Sequence, residues 1–158
     1  MEIREMKYTD IERVKEIAKL TWENTYSSFI PLDIQKKTLK EAYSEDTMTN
    51  RFEKSMMLVA EEDENIKGYA FFSNGANSQE IFLESIYVHP SFQGKGIGKD
   101  LYLSGIERYE NPTSISLTVY KGNTNITFYE KEGFKVIKES KGDFCGHPVT
   151  FIKMSKNL

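Results

Sequence analysis

Three glycines stand within five residues in the stretch Gln93-Gly94-Lys95-Gly96-Ile97-Gly98-Lys99, which follows the apolar run Ile86-Tyr87-Val88 and a break at Pro90. Residues of these types at this spacing suit the holding of an anion. Gly94, Gly96 and Gly98 can adopt φ > 0 at little steric cost and expose bare backbone, so successive N–H groups can converge on one point. A helix opening just after them would aim its unsatisfied N–H groups and positive dipole end at the same point. A pyrophosphate fits such a cradle, and the spacing narrows which one. A nucleotide P-loop requires Gly, four residues, then Gly-Lys-Ser/Thr, whereas Gly98-Lys99 is followed by Asp100. The dinucleotide fingerprint requires Gly-x-Gly-x-x-Gly after a first strand, whereas this chain carries Gly-x-Gly-x-Gly in mid-sequence. The spacing argues against both ATP and NAD.

A second segment lies about thirty residues on. The alternating run Ser114 to Val119 places Ile115, Leu117 and Val119 on one face of a strand. Tyr120 to Phe134 follows, with Asn123 or Thr124 as a helix N-cap and Gly133 as a C-terminal cap, which predicts a helix of about two and a half turns. The pattern Gln93-x-x-Gly96-x-Gly98 together with Phe128-Tyr129-x-x-x-Gly133-Phe134 resembles the acetyl-CoA loop and the succeeding helix of the GNAT (GCN5-related) N-acetyltransferases. The resemblance implies acetyl-CoA as acyl donor, held by Ile86, Tyr87, Val88, Gln93, Gly94, Lys95, Gly96, Ile97, Gly98, Lys99, Asn125 and Tyr129, with no metal. One departure stands out. Family positions often filled by Asn and Ala fall here on Gly122 and Asn125, and Asn125 is expected to face the pantetheine arm.

The implied reaction sets chemical requirements. An alkyl amine has a pKa near 10.4, so only about one molecule in a thousand is a free nucleophile at pH 7 and a base must take its proton. Glu84 stands just before Ile86-Tyr87-Val88, where family members carry an acid, and simple alternation places Phe82, Glu84 and Ile86 on one face. Glu80 is the reserve. The leaving thiolate, of parent pKa about 8.5, needs a proton or a hydrogen bond, and Tyr129 stands at the position of the family's general-acid tyrosine. The resemblance also implies an oxyanion donor among the backbone N–H groups of Ile86 to Val88, where the core strand splays from its neighbour.

Composition excludes other classes. The chain has 158 residues, a net charge of −3 with interspersed signs and a single cysteine, Cys145. No basic stripe supports nucleic-acid binding, and one cysteine forms neither a disulfide framework nor a cysteine-rich zinc site. The longest apolar run is about five residues, against the roughly 20 of a membrane-spanning helix, and Met1 to Asp10 is charged rather than basic then apolar. A cytoplasmic protein with no membrane partner is expected. His89 and His147 each precede proline and read as extended loop residues, and Glu61 to Asn65 reads as a solvated hairpin tip.

The elements that must position these groups follow from periodicity. A strand at Met1 to Met6 leads to a helix capped by Thr9 or Asp10, with Ile11, Val14, Ile17, Ala18 and Leu20 at helical spacing. Pro31 starts a second helix through about Tyr43, and a short segment covers Asp46 to Lys54. Strands follow at Met57 to Glu61 and Lys67 to Ser73, then the core strand, and a last pair at Val136 to Ser140 and Val149 to Met154. The expected class is α/β (α+β), a mixed, mostly antiparallel central sheet flanked by helices in the order β-α-α-β-β-β-α-β-α-β, forming one domain over residues 1–158. In the GNAT family the first two helices line the acceptor site, which makes Trp22, Glu23, Tyr26 and Phe29 the expected substrate contacts, the aromatics holding an ammonium by cation–π attraction. Thr21 to Tyr43 resembles bacterial polyamine (spermidine/spermine) N-acetyltransferases, which implies a small primary amine as acceptor. An acetyltransferase of protein or peptide N-termini, or a silent acetyl-CoA-binding regulator, are the alternatives. An exposed final strand could pair two copies into a homodimer, as happens in the family.

Overall fold

The structure is a computed structural model and describes residues 1–158. Its elements run β1 (Glu2–Glu5), α1 (Ile11–Tyr26), α2 (Leu32–Ala42), α3 (Glu45–Lys54), β2 (Met56–Glu62), β3 (Asn65–Asn74), β4 (Glu80–Val88), α4 (Ile97–Glu107), β5 (Ser114–Tyr120), α5 (Ile126–Lys131), β6 (Lys135–Phe144) and β7 (His147–Asn157). Seven strands form one sheet in the order β1-β2-β3-β4-β5-β7-β6, antiparallel throughout except for β4 beside β5. The class and all seven expected strands are present, the last pair having stood as a single β in the expected order, and the gain is a third helix before β2. The Asp46–Lys54 segment is a full helix because Ser44 caps it: Ser44 Oγ accepts from Thr47 N–H at 3.3 Å, and Glu45 and Asp46 stand in its first turn.

The last two strands are far longer than the hydrophobic alternation predicts. Gly142 and Pro148 lie outside the expected strands Val136 to Ser140 and Val149 to Met154, yet the hairpin accommodates both. A Cβ on Gly142 would stand 2.3 Å from the Phe151 ring, so the missing side chain is what lets that ring cross the strand. Pro148 lies opposite Asp143, and Thr150 C=O accepts from Lys121 N–H on the β5 side. Backbone polarity alternates along a strand, so Pro148 stands where β6 requires no N–H. His147, expected in a loop, therefore opens β7, while His89 does lie between elements and its Nδ1 accepts from Ser91 N–H at 3.0 Å.

Helices cover both faces of the sheet. On one, Val14, Ile17 and Ala18 of α1 and Met48 of α3 pack against Val59, Tyr69 and Phe71. On the other, Ile97 and Leu101 of α4 pack against Leu58, Ala70, Phe72, Leu83 and Leu117. Each large apolar side chain so buried contributes about 1.5–3 kcal/mol. None of the helices is long and apolar enough to cross a membrane.

Two irregularities in β4 break the regular sheet. Phe71 pairs with Ser85 and Phe72 with Leu83, so Glu84 is an extra residue, a β-bulge. The bulge flips the side-chain parity: Ile81 and Leu83 belong to the α4 face, but so do Ile86 and Val88. The expectation that Phe82, Glu84 and Ile86 share a face is thereby corrected. Beside it, the parallel ladder to β5 runs from Glu80↔Ser114 to Leu83↔Leu117 and stops. Beyond that point β4 and β5 diverge.

Gly105 seats α4 on the sheet, since an added Cβ would stand 2.1 Å from Phe72 Cζ. Gly105→Ala is expected to lower stability by about 1–3 kcal/mol through overpacking. Phe72→Leu in the same chain should recover part of that loss. A urea midpoint left unchanged by Gly105→Ala would show that the helix does not depend on this contact.

Candidate active site

The gap between β4 and β5 opens into a cleft of about 770 Å³. Its walls are Ile86 to Val88, the loop from Phe92 to Lys99 without Lys95, Gly122 with Thr124 and Asn125, Phe128 with Tyr129, and one side of α1. The sequence-predicted cofactor residues thus converge on one cavity, Lys95 excepted; its Nζ lies outside, 5.7 Å from the centre of the Phe92 ring. Lys99 is the only charged side chain of the lining.

The glycine loop works through two left-handed residues rather than three. Gly94 has φ +79° and Gly96 has φ +81°, a region costly for residues with a Cβ, whereas Gly98 lies in the first turn of α4 in ordinary helical conformation. The first helical bond runs from Asp100 N–H to Gly96 C=O at 3.0 Å, and no side chain caps the helix. The N–H groups of Ile97, Gly98 and Lys99 are therefore free of intrahelical acceptors and stand at the positive end of the dipole. Gln93 braces the loop: its Nε2 donates to Val88 C=O at 3.1 Å. Because His89 N–H donates to Lys67 C=O on the β3 side, alternation turns the N–H groups of Val88 and Ile86 away from β3 and into the gap.

A smaller cavity of about 40 Å³ lies deeper between the diverging strands, lined by Tyr26, Glu84, Asn123, Asn125 and Tyr129 among others. The bulge puts Glu84 there. Its Oε2 is buried and has no hydrogen-bond partner within the protein, the mark of a group suited to meet water or substrate. The cavity has room for a water molecule. Glu80, by contrast, is engaged in its own loop, with Oε2 accepting from Ala76 N–H and Oε1 from Asn77 Nδ2, both at 3.2 Å. Burial, reinforced by the Tyr87 phenol, pushes Tyr129 well above the usual tyrosine range, so its proton stays in place at physiological pH.

The expected acceptor residues are differently deployed. Trp22 and Tyr26 are each 4 % exposed and join Phe29, Tyr87, Tyr120 and Phe144 in an aromatic cluster. Trp22 Nε1 donates to Tyr87 Oη at 3.1 Å, and the ring centres of Trp22 and Tyr26 are 4.9 Å apart, edge to face. Phe29 covers Gly122, and Glu23 is half-buried. None of these four lines the larger cleft, although Tyr26 reaches the smaller one. Thr21, Asn24 and Thr25 of α1 do line it, with Ser28 from the turn just past the helix. Their i, i+3, i+4, i+7 spacing is a polar stripe legible in the sequence, but the aromatics of the same helix present the more conspicuous candidates for holding an amine. Thr21 is 5 % exposed, and its Oγ1 has no partner. The β6–β7 turn closes over this end of α1, with His147 Nε2 2.9 Å from Phe29 C=O.

The cleft brings together free N–H groups at a helix opening, a slot between splayed strands and a buried tyrosine that lines one recess with a carboxylate. Residues 16–158 match the family model described as the acetyltransferase (GNAT) domain. The chain belongs to the GNAT family and is an acetyl-CoA-dependent N-acetyltransferase. It is 28 % identical over 153 residues to a spermidine N(1)-acetyltransferase of Thermoplasma acidophilum, covering 91 % of this chain and 94 % of that one. The crystal structure of the PaiA N-acetyltransferase of T. acidophilum in complex with coenzyme A superposes with a TM-score of 0.83 at 25 % identity, covering 99 % and 98 % of the two chains. YncA of Salmonella typhimurium, solved with acetyl-CoA, shares the fold at a TM-score of 0.68 and 22 % identity, covering 100 % and 94 %.

The tyrosines around the site carry a pH dependence. Burial raises Tyr26, Tyr87, Tyr120 and Tyr129 above the ordinary value of 10.0. Above that pH the unfolded chain gives up protons that the folded chain keeps, so stability is full below pH about 10 and falls as pH rises beyond it. In an alkaline titration most phenolate absorbance is expected to appear together with the loss of circular dichroism. Phenolate formation that runs to completion in a still-folded protein would contradict the burial of these hydroxyls.

Proposed function

We propose that the protein acetylates a primary amine of a small aliphatic polyamine by direct attack on acetyl-CoA. The observation that carries the acceptor class is the likeness, over nine-tenths of the chain, to a spermidine N(1)-acetyltransferase. In this reading the pyrophosphate of acetyl-CoA lies on Gly94, Gly96 and the free N–H groups opening α4, with Lys99 as the neighbouring positive charge. The pantetheine arm enters the β4–β5 gap, as the unpaired edges there supply donors and acceptors for its amides. Residues 1–158 act as one catalytic domain.

Each step has a group to perform it. Glu84 takes the proton of the ammonium, through a water in the small cavity, and its buried unpartnered oxygen gives that proton a destination. The freed amine attacks the thioester carbonyl, whose oxygen gathers negative charge next to the Val88 and Ile86 N–H groups. As the tetrahedral intermediate collapses, the C–S bond breaks and Tyr129 gives its proton to the sulfur. The second proton that the new amide nitrogen must lose passes to the Tyr129 phenolate and restores the phenol, and Glu84 returns its own proton to solvent. The Tyr129 phenol is protonated at physiological pH and so has a proton to give when it meets the leaving group. The remaining ammonium and alkyl portions of the acceptor lie along Thr21, Asn24, Thr25 and Ser28, which offer hydroxyls and an amide rather than charge.

Thiol release from acetyl-CoA across spermidine, spermine, putrescine, aminoglycosides and short peptides tests the acceptor class, with turnover expected on the polyamines; turnover on peptide N-termini alone would overturn it. Tyr129→Phe is expected to lower kcat by about 100-fold while leaving the KM for acetyl-CoA within about twofold. Equal losses in both would assign Tyr129 to binding. Gly96→Asp places a side chain at φ +81° and a negative charge against the cradle, and calorimetry should then detect no CoA binding. Retained affinity would place the pyrophosphate elsewhere.

A further inference from the structure

Asn123 is one of only four buried polar residues in the chain, and all four of its polar groups are engaged. Its N–H donates to Tyr120 C=O at 2.9 Å, and its C=O accepts from Ile126 N–H at 3.4 Å. On the side chain, Oδ1 accepts from Asn125 N–H at 2.8 Å and Nδ2 donates to Tyr26 Oη at 3.3 Å. The next link in the same chain of bonds is Tyr129, whose N–H donates to Asn125 C=O at 3.2 Å. Tyr26, Asn123, Asn125 and Tyr129 all line the small cavity that contains Glu84.

α5 needs such an external tie. It has six residues, and its N-cap residue, Asn125, makes no side-chain capping bond. A helix this short is unstable alone, because nucleation costs more than so few hydrogen bonds return. Beside the packing of Tyr129 on Phe134, whose N–H donates to Tyr129 C=O at 3.0 Å, what holds the first turn helps to fix Tyr129 at the gap. The adjacent residue cannot supply the tie: Gly122 has φ +103°, and a Cβ there would stand 3.1 Å from the Phe29 ring. With Phe29 seated on the backbone, the loop's amide side chain falls one residue later and points inward to α1 instead of into the larger cleft.

We propose that Asn123 is a positioning residue for Tyr129, and that the Tyr26 hydroxyl anchors it to α1. Tyr26 thereby serves turnover from beneath the site without touching either substrate. The inference rests on the reading of Tyr129 as the general acid. If Asn123 acts through Tyr129, removing it costs turnover only while the Tyr129 hydroxyl is present to be misplaced.

A double-mutant cycle reads this coupling. Asn123→Ala is expected to lower kcat by roughly tenfold, with the KM for acetyl-CoA within about twofold, and to add less than about a twofold loss on top of Tyr129→Phe. Tyr26→Phe removes a single hydroxyl and leaves the packed ring, so it should fold where Asn123→Ala does not; it should show the same loss and the same non-additivity. Thermal stabilisation by CoA, measured on every variant, confirms a folded site. Losses that multiply in both backgrounds, or a KM that rises in step with the fall in kcat, would overturn the proposal while leaving Tyr129 as the acid. A Tyr129→Phe enzyme with undiminished kcat would remove that reading and this inference with it.

Discussion

The site depends on a sheet that fails to close at one place. Parallel pairing between β4 and β5 ends at Leu83 and Leu117, and the bulge at Glu84 turns the rest of β4 away from its neighbour. Unpaired backbone in the middle of a sheet is costly unless something else satisfies it. A ligand that brings amide and carbonyl groups of its own would meet that need. The same bulge redirects an acidic side chain into the gap and inverts the parity of everything after it, so one inserted residue creates both the slot and its carboxylate.

Around this gap the structure sets rigid supports. α4 presses onto the sheet through Gly105 and Phe72, which fixes the direction in which its free N–H groups point. On the other face the aromatic cluster of Trp22, Tyr26, Tyr87 and Tyr120 ties α1 to β4 and β5 through edge-to-face rings and the Trp22–Tyr87 hydrogen bond. Rings of this size bury much area and lose little entropy on ordering. That suits them to hold two elements at constant separation while the polar side of α1 faces the cleft. The long β6–β7 hairpin completes the wall, since its turn rests on the end of α1 through His147.

The charged side chains stand at separate places in the cleft. Lys99 and the helix opening lie in the larger cleft and the carboxylate of Glu84 in the deeper recess, which on the proposed reading separates phosphate binding from deprotonation of the amine. Between them the lining is neutral. Neutral donors and acceptors can orient a flexible amine without binding it so strongly that product release suffers, in keeping with a site that favours the transition state over the ground state.

Residues close together in the chain were the ones its sequence determined. The glycine cradle, the Phe128-Tyr129 helix and the alternation of β5 are local patterns, dictated by backbone freedom and side-chain period, and with them came the family, its cosubstrate and the class of fold. Boundaries failed where a local rule was overridden from a distance: Gly142 and Pro148 fall outside the expected strands, and Phe151 and the alternation of the β7 ladder account for their place in the hairpin. The bulge at Glu84 leaves no trace in the order of residues, because it is defined by what β3 places opposite. Trp22 could equally have met an amine or a core, and only the packing of α1 buried it in the aromatic cluster and left Thr21, Asn24 and Thr25, with Ser28 just past the helix, to line the cleft. Tertiary structure alone joined Tyr26 to Asn123, 97 positions apart, since a hydrogen bond between distant residues depends on the relative placement of two elements and not on either one's propensity.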